Sequence, residues 1–290
     1  MASEGRIIKG IGGFYYVKDG DKVVTCKAKG AFRNKSLVPM VGDIVRYETF
    51  KDELGQITEI LPRKNSLIRP MASNIDLLAI VVSASSPSPD WLLLDKLIIA
   101  ATRAGIKPLP ILNKIDDADP TTVEQFLNDY REFESYMVSA VSGEGLDKLR
   151  GALSCGISCF AGQSAVGKTS ILNALLPGLE HETGELSQRT RRGKHTTRSA
   201  SLIPFLDGAI LDTPGFSLLE SELLSLQELL DCYPEFRHAE PCRFSDCSHT
   251  GEPDCGVKLL LEAEKLSLHR YQRYVTIYKE NENRRKHLYD

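Results

Sequence analysis

The sequence predicts an α/β protein with a small all-β segment before its central domain and a short, metal-stapled helical segment after it. Three observations lead there. Residues 1–66 are short apolar or alternating runs punctuated by Gly and Asp, the spacing of a small barrel. From Ile75 to about residue 220, buried apolar runs alternate with amphipathic stretches, the pattern of a mainly parallel sheet covered by helices. Residues 231–256 lose that periodicity and become rich in Cys, Pro, Asp and His. The expected domains are therefore 1–66, 67–220 and 221–290.

Composition narrows the function classes. With 290 residues, 42% hydrophobic and 26% charged, the chain reads as globular; disorder, collagen and coiled coil are excluded. The charge balance is 36 Lys and Arg against 39 Asp and Glu, so any nucleic-acid contact must come from local patches. The run Leu77–Val82 is far short of the roughly 20 apolar residues a spanning helix needs. The start Met-Ala-Ser-Glu-Gly-Arg lacks the apolar stretch of a signal peptide. A cytoplasmic protein without a membrane partner is expected, and its seven Cys are not a disulfide framework by default.

In the first segment the strand candidates are Phe14–Val17, Val23–Ala28, Asp43–Tyr47 and Gln56–Ile60. Ile75–Ser83 is continuously apolar, as a strand buried on both faces must be. Ser88-Pro89-Asp90 then opens a helix, with Ser88 as cap and Trp91, Leu94, Leu97, Ile98 and Ala101 inward. Lys107–Leu112 is the next strand. Asp119-Pro120 opens a second helix, with Val123, Phe126, Leu127 and Tyr130 on one side. Ser135–Val138, a helix over Leu146–Leu153, and the strand Gly156–Ala161 follow, and Ala209–Leu211 is a later strand. Val257–Leu268 reads as a helix followed by a polar, basic tail. Cys26, Cys155 and Cys159 fall in strand patterns and are expected to be buried.

The chemistry starts at Gly162-Gln163-Ser164-Ala165-Val166-Gly167-Lys168-Thr169-Ser170, which fits G-x-x-x-x-G-K-[ST]. Such a loop curls successive backbone N–H groups around phosphate oxygens, and the next helix aims its positive end at them. Lys168 would reach the β- and γ-phosphates, and the Thr169 hydroxyl would hold Mg²⁺. Strand before and apolar helix after are the context this loop requires. Asp212-Thr213-Pro214-Gly215 follows a strand, so Asp212 could hold the magnesium shell through water and the Gly215 N–H could meet the γ-phosphate. Asn113-Lys114-Ile115-Asp116 ends another strand. The Asp116 carboxylate can accept from guanine N1–H and its exocyclic amine, a pairing adenine cannot offer, while the Lys114 stem covers the base. Ser139-Ala140 ends the next strand, where a backbone N–H could touch the guanine oxygen.

Cys242, Cys247, His249 and Cys255 place three thiolates and an imidazole within fourteen residues, the donor set of one closed structural Zn²⁺ site. Cys232 and His238 are nearby and read as structural. Gln188–Arg198 carries five cations and no acid, consistent with a switch that meets phosphates, with Thr196 or Thr197 on Mg²⁺. Residues 1–66 hold 12 basic against 8 acidic side chains, and Arg270, Tyr271, Arg273, Tyr274, Arg284, Arg285 and Lys286 interleave charge with aromatic rings. Together these patches favour an RNA partner. A P-loop kinase or ATPase, and an RNA-binding scaffold that holds nucleotide without hydrolysing it, remain open on the residues alone.

The four nucleotide motifs resemble those of translation-factor-type GTPases in a permuted order: N-K-I-D and S-A precede the P-loop and D-T-P-G. With the G-K-H-T-T stretch (Gly193–Thr197) and the C-x4-C-x-H-x5-C spacing, the whole chain resembles the RsgA-type small-ribosomal-subunit biogenesis GTPases. The resemblance implies an OB-type N-terminal β-barrel that binds RNA, a circularly permuted P-loop GTPase domain and a C-terminal zinc-binding helical module. It also implies a monomeric cytoplasmic enzyme that binds the 30S subunit and 16S rRNA and hydrolyses GTP to GDP late in maturation. Lys194 stands where that family has Arg, and an ammonium cannot make a guanidinium's two-pronged contact. After D-x-x-G many GTPases carry a water-orienting Gln; here it is Phe216, so the reading assigns that role to His195.

Overall fold

The computed structural model describes residues 3–30, 32, 38–50, 54–67, 70–177, 200–212 and 223–289. The expected positions Gln188–Arg198, with His195, Thr196 and Thr197, and Thr213–Phe216, with Gly215, lie outside them.

β1 (Ser3–Ile11), β2 (Phe14–Asp19), β3 (Lys22–Ala28), β4 (Ile44–Thr49) and β5 (Gly55–Ile60) form a closed barrel. They run in the order β1-β2-β3-β5-β4, with β1 returning to pair with β4. Ile7, Val17, Cys26, Val45 and Ile57 point inward at alternate positions and are fully buried. The barrel leans on Asp43, a buried carboxylate that accepts from Arg63 Nε at 2.7 Å and Ser73 Oγ at 2.5 Å, tying it to the chain that leads out. A minor hairpin, β6 (Ser66–Leu67) with β7 (Ala72–Ser73), lies on that path.

The central domain sets β8 (Leu77–Ser83), β9 (Lys107–Asn113), β10 (Tyr136–Val138), β11 (Cys155–Ala161), β12 (Ser201–Phe205) and β13 (Asp207–Asp212) in the order β10-β9-β8-β11-β13-β12. All neighbours are parallel except β12, which forms an antiparallel hairpin with β13. α1 (Trp91–Arg103), α2 (Pro120–Asp129), α3 (Leu146–Ala152) and α4 (Lys168–Leu175) complete it. Parallel neighbours bring every β-to-α loop to one edge of the sheet, where open α/β sheets bind ligands. β12 also pairs with barrel strand β1 at Ser201 and Lys9, so barrel and central domain share one sheet of eleven strands.

The third unit comprises α5 (Leu226–Leu230), α6 (Gly256–Glu262) and α7 (Leu268–Tyr289) around the Cys/His segment. Its core includes Leu229, Tyr233, Phe236, Val257 and Tyr274, and Ile99 of α1 enters the same cluster.

The structure corrects the sequence reading in several places. The cap of α1 is Asp90, whose carboxylate accepts from Leu93 N at 2.9 Å, rather than Ser88. Leu127 is exposed on α2, and Cys155 is exposed because it begins its strand at the sheet's rim. The helix expected over Val257–Leu268 stops at Glu262, since Glu264 takes φ +57°. The presumed tail is the longest helix described, α7, with 22 residues. Strands β1 and β12 escaped the reading. Pro204 in β12 argues against a strand except at an edge, which is what β12 is before β1 joins it.

Candidate functional site

Three loops from the permuted order meet at the carboxyl edge of the sheet, where β13 also ends in Asp212. The side chain of Asn113, at the end of β9, joins them. Its Nδ2 donates to the Val166 carbonyl in the P-loop at 2.8 Å, and its Oδ1 accepts from Ala140 N at 3.3 Å. Asn113 is 1% exposed, so those bonds are shielded from water. Lys114 Nζ donates to the Ala165 carbonyl at 3.0 Å and also to the Ser86 carbonyl in the loop after β8. Asp116 follows in a single 3₁₀ turn, Ile115–Asp117, with its carboxylate exposed at the site's rim. Ser139 Oγ accepts from Val141 N at 3.3 Å and Ser142 N at 3.0 Å, holding the S-A loop beside Asn113.

The P-loop runs from the end of β11 into α4. Gly162 has φ +130° and Gly167 φ +95°. A Cβ at Gly162 would strike the Val81 carbonyl, and one at Gly167 the Asn113 amide nitrogen, so both positions need glycine for close approach as well as for conformation. Lys168 Nζ folds back on its own loop, donating to the Gly162 carbonyl at 2.9 Å and the Gln163 carbonyl at 2.6 Å. Burial pushes its ammonium down from the usual lysine range. Thr169 and Ser170 are exposed on the first turn of α4, Ser164 and Ala165 are exposed in the loop, and Gln163 is half-buried.

Asp212 closes β13 beside β11. Desolvation raises its carboxyl above the ordinary range, although the side chain keeps contact with solvent. Among the described residues, the lowered ammonium at the start of α4 and the raised carboxyl at the end of β13 have no ion-pair partners. Phosphate oxygens beside Lys168 and a magnesium ion near Asp212 and Thr169 would supply them, so the residues fit a metal–nucleotide pair.

In the third unit, the sulfur and nitrogen donors of Cys242, Cys247, His249 and Cys255 all lie within 4.8 Å of one another. His249 Nδ1 is 3.3 Å from Cys255 Sγ and 3.5 Å from Cys242 Sγ, and Cys242 and Cys255 sulfurs are 4.0 Å apart. With Zn–S bonds of about 2.3 Å, a tetrahedron requires sulfurs roughly 3.8 Å apart. The cluster is compatible with one zinc. His249 takes φ +58° to aim its ring inward, and Tyr271 Oη donates to its carbonyl at 2.8 Å. Glu252 holds the intervening loop. Burial opposes its charge, yet the Ser248 hydroxyl and the Ser248, Thr250 and Gly251 amides donate to it, and its carboxyl is lowered to about 2. Cys232 is buried away from the cluster, and His238 lies 3.2 Å from Glu132, so neither joins the four.

The basic and aromatic residues at the start of α7 are not surface. Arg270 and Tyr274 are buried, and Arg273 nearly so. Arg270 Nε donates to Glu235 at 2.8 Å and its Nη1 to Asp95. Arg273 donates to Asp95 at 2.6 Å and to Asp129 at 2.9 Å, and Tyr130 Oη donates to Asp95 at 2.7 Å. Arg270 also lies over the Tyr233 ring at 4.5 Å. This buried charge cluster takes Arg270 and Arg273 out of the RNA patch the sequence suggests and fastens α7 to α1 and α2, whereas Arg284 and Lys286 are exposed.

Similarity to known proteins agrees with this arrangement. The sequence models of the RsgA N-terminal domain and the RsgA GTPase match residues 4–57 and 60–222. The chain is 41% identical over 283 residues to the small ribosomal subunit biogenesis GTPase RsgA of Halalkalibacterium halodurans, covering 96% of each. It is 43% identical over 283 residues to that of Ruminiclostridium cellulolyticum, covering 95% of this chain and 92% of the relative. The crystal structure of YjeQ from Thermotoga maritima superposes with a TM-score of 0.84 at 32% identity, over 97% of this chain and 99% of that one. YloQ, described as a circularly permuted GTPase, gives 0.81 at 33%, over 98% and 96%. Permuted loop order, closed barrel, Cys/His cluster and full-length similarity converge: the chain belongs to the RsgA family of small ribosomal subunit biogenesis GTPases, enzymes that hydrolyse GTP.

Proposed function

We propose that this GTPase binds the 30S subunit through 16S rRNA and, with Mg²⁺, hydrolyses GTP to GDP and phosphate during late small-subunit maturation, as a cytoplasmic monomer. The observation that carries the reading is the join made by Asn113 and Lys114, which holds the loop suited to guanine against the loop suited to phosphates. Asp116 accepts from guanine, the Lys114 stem flanks the base, and Ala140 N turns from Asn113 Oδ1 to the base's oxygen. The P-loop amides from Ser164 to Thr169 cradle the phosphates, and Lys168 exchanges its two carbonyl partners for phosphate oxygens. Thr169 and, through water, Asp212 would hold Mg²⁺, which would supply positive charge against the phosphates. The assignments of Gly215, of Thr196 or Thr197 to Mg²⁺, and of His195 to water orientation rest on the sequence. Zn²⁺ at Cys242, Cys247, His249 and Cys255 is structural, since the segment it closes has little regular secondary structure.

The three-part division 1–66, 67–220 and 221–290 gives the barrel and third unit to the ribosome and the centre to the nucleotide. On the barrel's outer face, Lys27 Nζ lies 4.9 Å from the Phe14 ring centre, and Lys9 neighbours Tyr16 across strands. Cations among flat rings suit RNA phosphates and unpaired bases. Among the described residues no helix is long and apolar enough to cross a membrane. Sedimentation with purified 30S particles in GTP, GDP and a non-hydrolysable analogue tests the reading. Co-sedimentation that is strongest with the analogue, and phosphate release stimulated by 30S, are expected. Equal sedimentation in all three states without stimulation would point to the scaffold alternative.

A further inference from the structure

Two residues that lack glycine's freedom occupy left-handed backbone where the base loop meets the phosphate loop: Lys114 at φ +66° and Ala165 at φ +64°. In that region the Cβ of an L-residue crowds the following carbonyl, so the conformation is disfavoured relative to glycine. The two are connected. Lys114 Nζ donates to the carbonyl of Ala165 itself, and Asn113 Nδ2 donates to the next carbonyl, that of Val166. The base loop thus grips the phosphate loop on the two peptides that follow its disfavoured turn. Such turns persist only where their surroundings over-determine them.

We propose that Ala165 is a positioning residue that makes release of guanosine diphosphate intrinsically fast: a left-handed turn held closed from outside by Lys114, without which the phosphate cradle opens. The proposal rests on the guanosine-nucleotide reading of this site. A cradle needs left-handed turns that make successive N–H groups converge. Gly162 and Gly167 provide two at no Cβ cost, whereas Ala165 provides the third against its own preference. When the base shifts and Lys114 loosens, Ala165 drifts toward right-handed or extended backbone and its neighbours' amides swing off the phosphate. Ala165 is exposed and absent from every core cluster, so its methyl group has no packing task to confuse the comparison.

Stopped-flow release of fluorescently labelled GDP from the full-length Mg²⁺-loaded protein tests this in a cycle of Ala165→Gly, Lys114→Met and the double variant. Ala165→Gly is expected to slow release by about five- to tenfold. Lys114→Met is expected to speed release strongly with Ala165 and by a clearly smaller factor with glycine there. Ala165→Val, whose branched Cβ tolerates the turn least, is expected to release faster than the parent; circular dichroism checks its fold, and the glycine cycle stands without it. Equal release from the parent and Ala165→Gly, or an identical Lys114→Met factor in both backgrounds, overturns the proposal and leaves the nucleotide site standing. A parent protein that binds no labelled GDP removes both.

Discussion

Asn113 shows how a residue picked for one reason serves a second. Its place after a strand marked it for guanine recognition, and that much is legible from N-K-I-D. Its bonds to Val166 and Ala140 were not, because they join positions 53 and 27 residues away. Asp212 is similar: the motif names it, and only the fold shows its carboxyl raised by burial. A raised carboxyl favours the protonated form, so its contribution to stability is present below the ordinary carboxylate range and is lost as pH rises through the folded value. At neutral pH the ionised group is a small burden, limited by its solvent contact. Asp212→Asn should therefore leave the nucleotide-free protein as stable or slightly more so, and should reduce the extra stability given by Mg²⁺ and GDP; thermal melts with and without both ligands check it. The cysteines divide by environment. Burial pushes the thiols of Cys26 and Cys232 up to about 11 and that of Cys159 to about 12, whereas Cys155 is exposed. Brief alkylation of the zinc-loaded protein at pH 8 should label Cys155 first, read by peptide mass spectrometry. The sequence suggested burial for Cys155 because alternation cannot tell a strand's middle from its rim.

Among the elements, α7 was the least legible. Its polar and basic composition resembles a tail, and the pattern contains no sign that Asp95 and Asp129 wait for its arginines. Local reading finds helices that bury an apolar stripe, whereas α7 is fixed partly by buried charge. That charge makes it sensitive. Arg273→Ala would leave Asp95 and Asp129 buried with fewer partners, and removing one member of a buried pair costs about 3–5 kcal/mol. Denaturant unfolding should show a loss of that order, with the third unit loosening first by hydrogen exchange on α7. A change below about 0.5 kcal/mol, the scale of ordinary surface substitutions, would mean that the cluster holds nothing. Asn281 adds a further tie, bonding both the N–H and the carbonyl of Leu224. Helices α1 and α2, by contrast, were legible in their main features: Asp119 caps α2 as its Asp-Pro start implied, and α1 buries Leu94, Leu97 and Ile98, although its cap is Asp90 and Leu127 of α2 is exposed.

At the scale of the molecule, the order of the motifs in the sequence differs from the order of their strands in the sheet. Parallel pairing in the order β10-β9-β8-β11-β13 brings N-K-I-D, S-A, the P-loop and Asp212 to one edge although N-K-I-D comes first in sequence. Fold class and motif convergence were legible because each loop carries its own signature next to its own strand. The join of barrel to central domain was not, since one bridge between Lys9 and Ser201 leaves no periodicity to read. That bridge places the barrel on the hairpin directly after residues 178–199, where the charged Gln188–Arg198 stretch lies. The four loops should act as a single guanosine-specific pocket, and a competition titration addresses this most directly. Labelled GDP bound to the Mg²⁺-loaded protein is displaced by GTP, ATP and xanthosine triphosphate, first in the parent and then in Asp116→Asn. GTP should displace at least a hundredfold better than ATP in the parent, with preference moving to the xanthine nucleotide in the variant; equal displacement by ATP and GTP, or an Asp116→Asn profile identical to the parent's, would contradict the account.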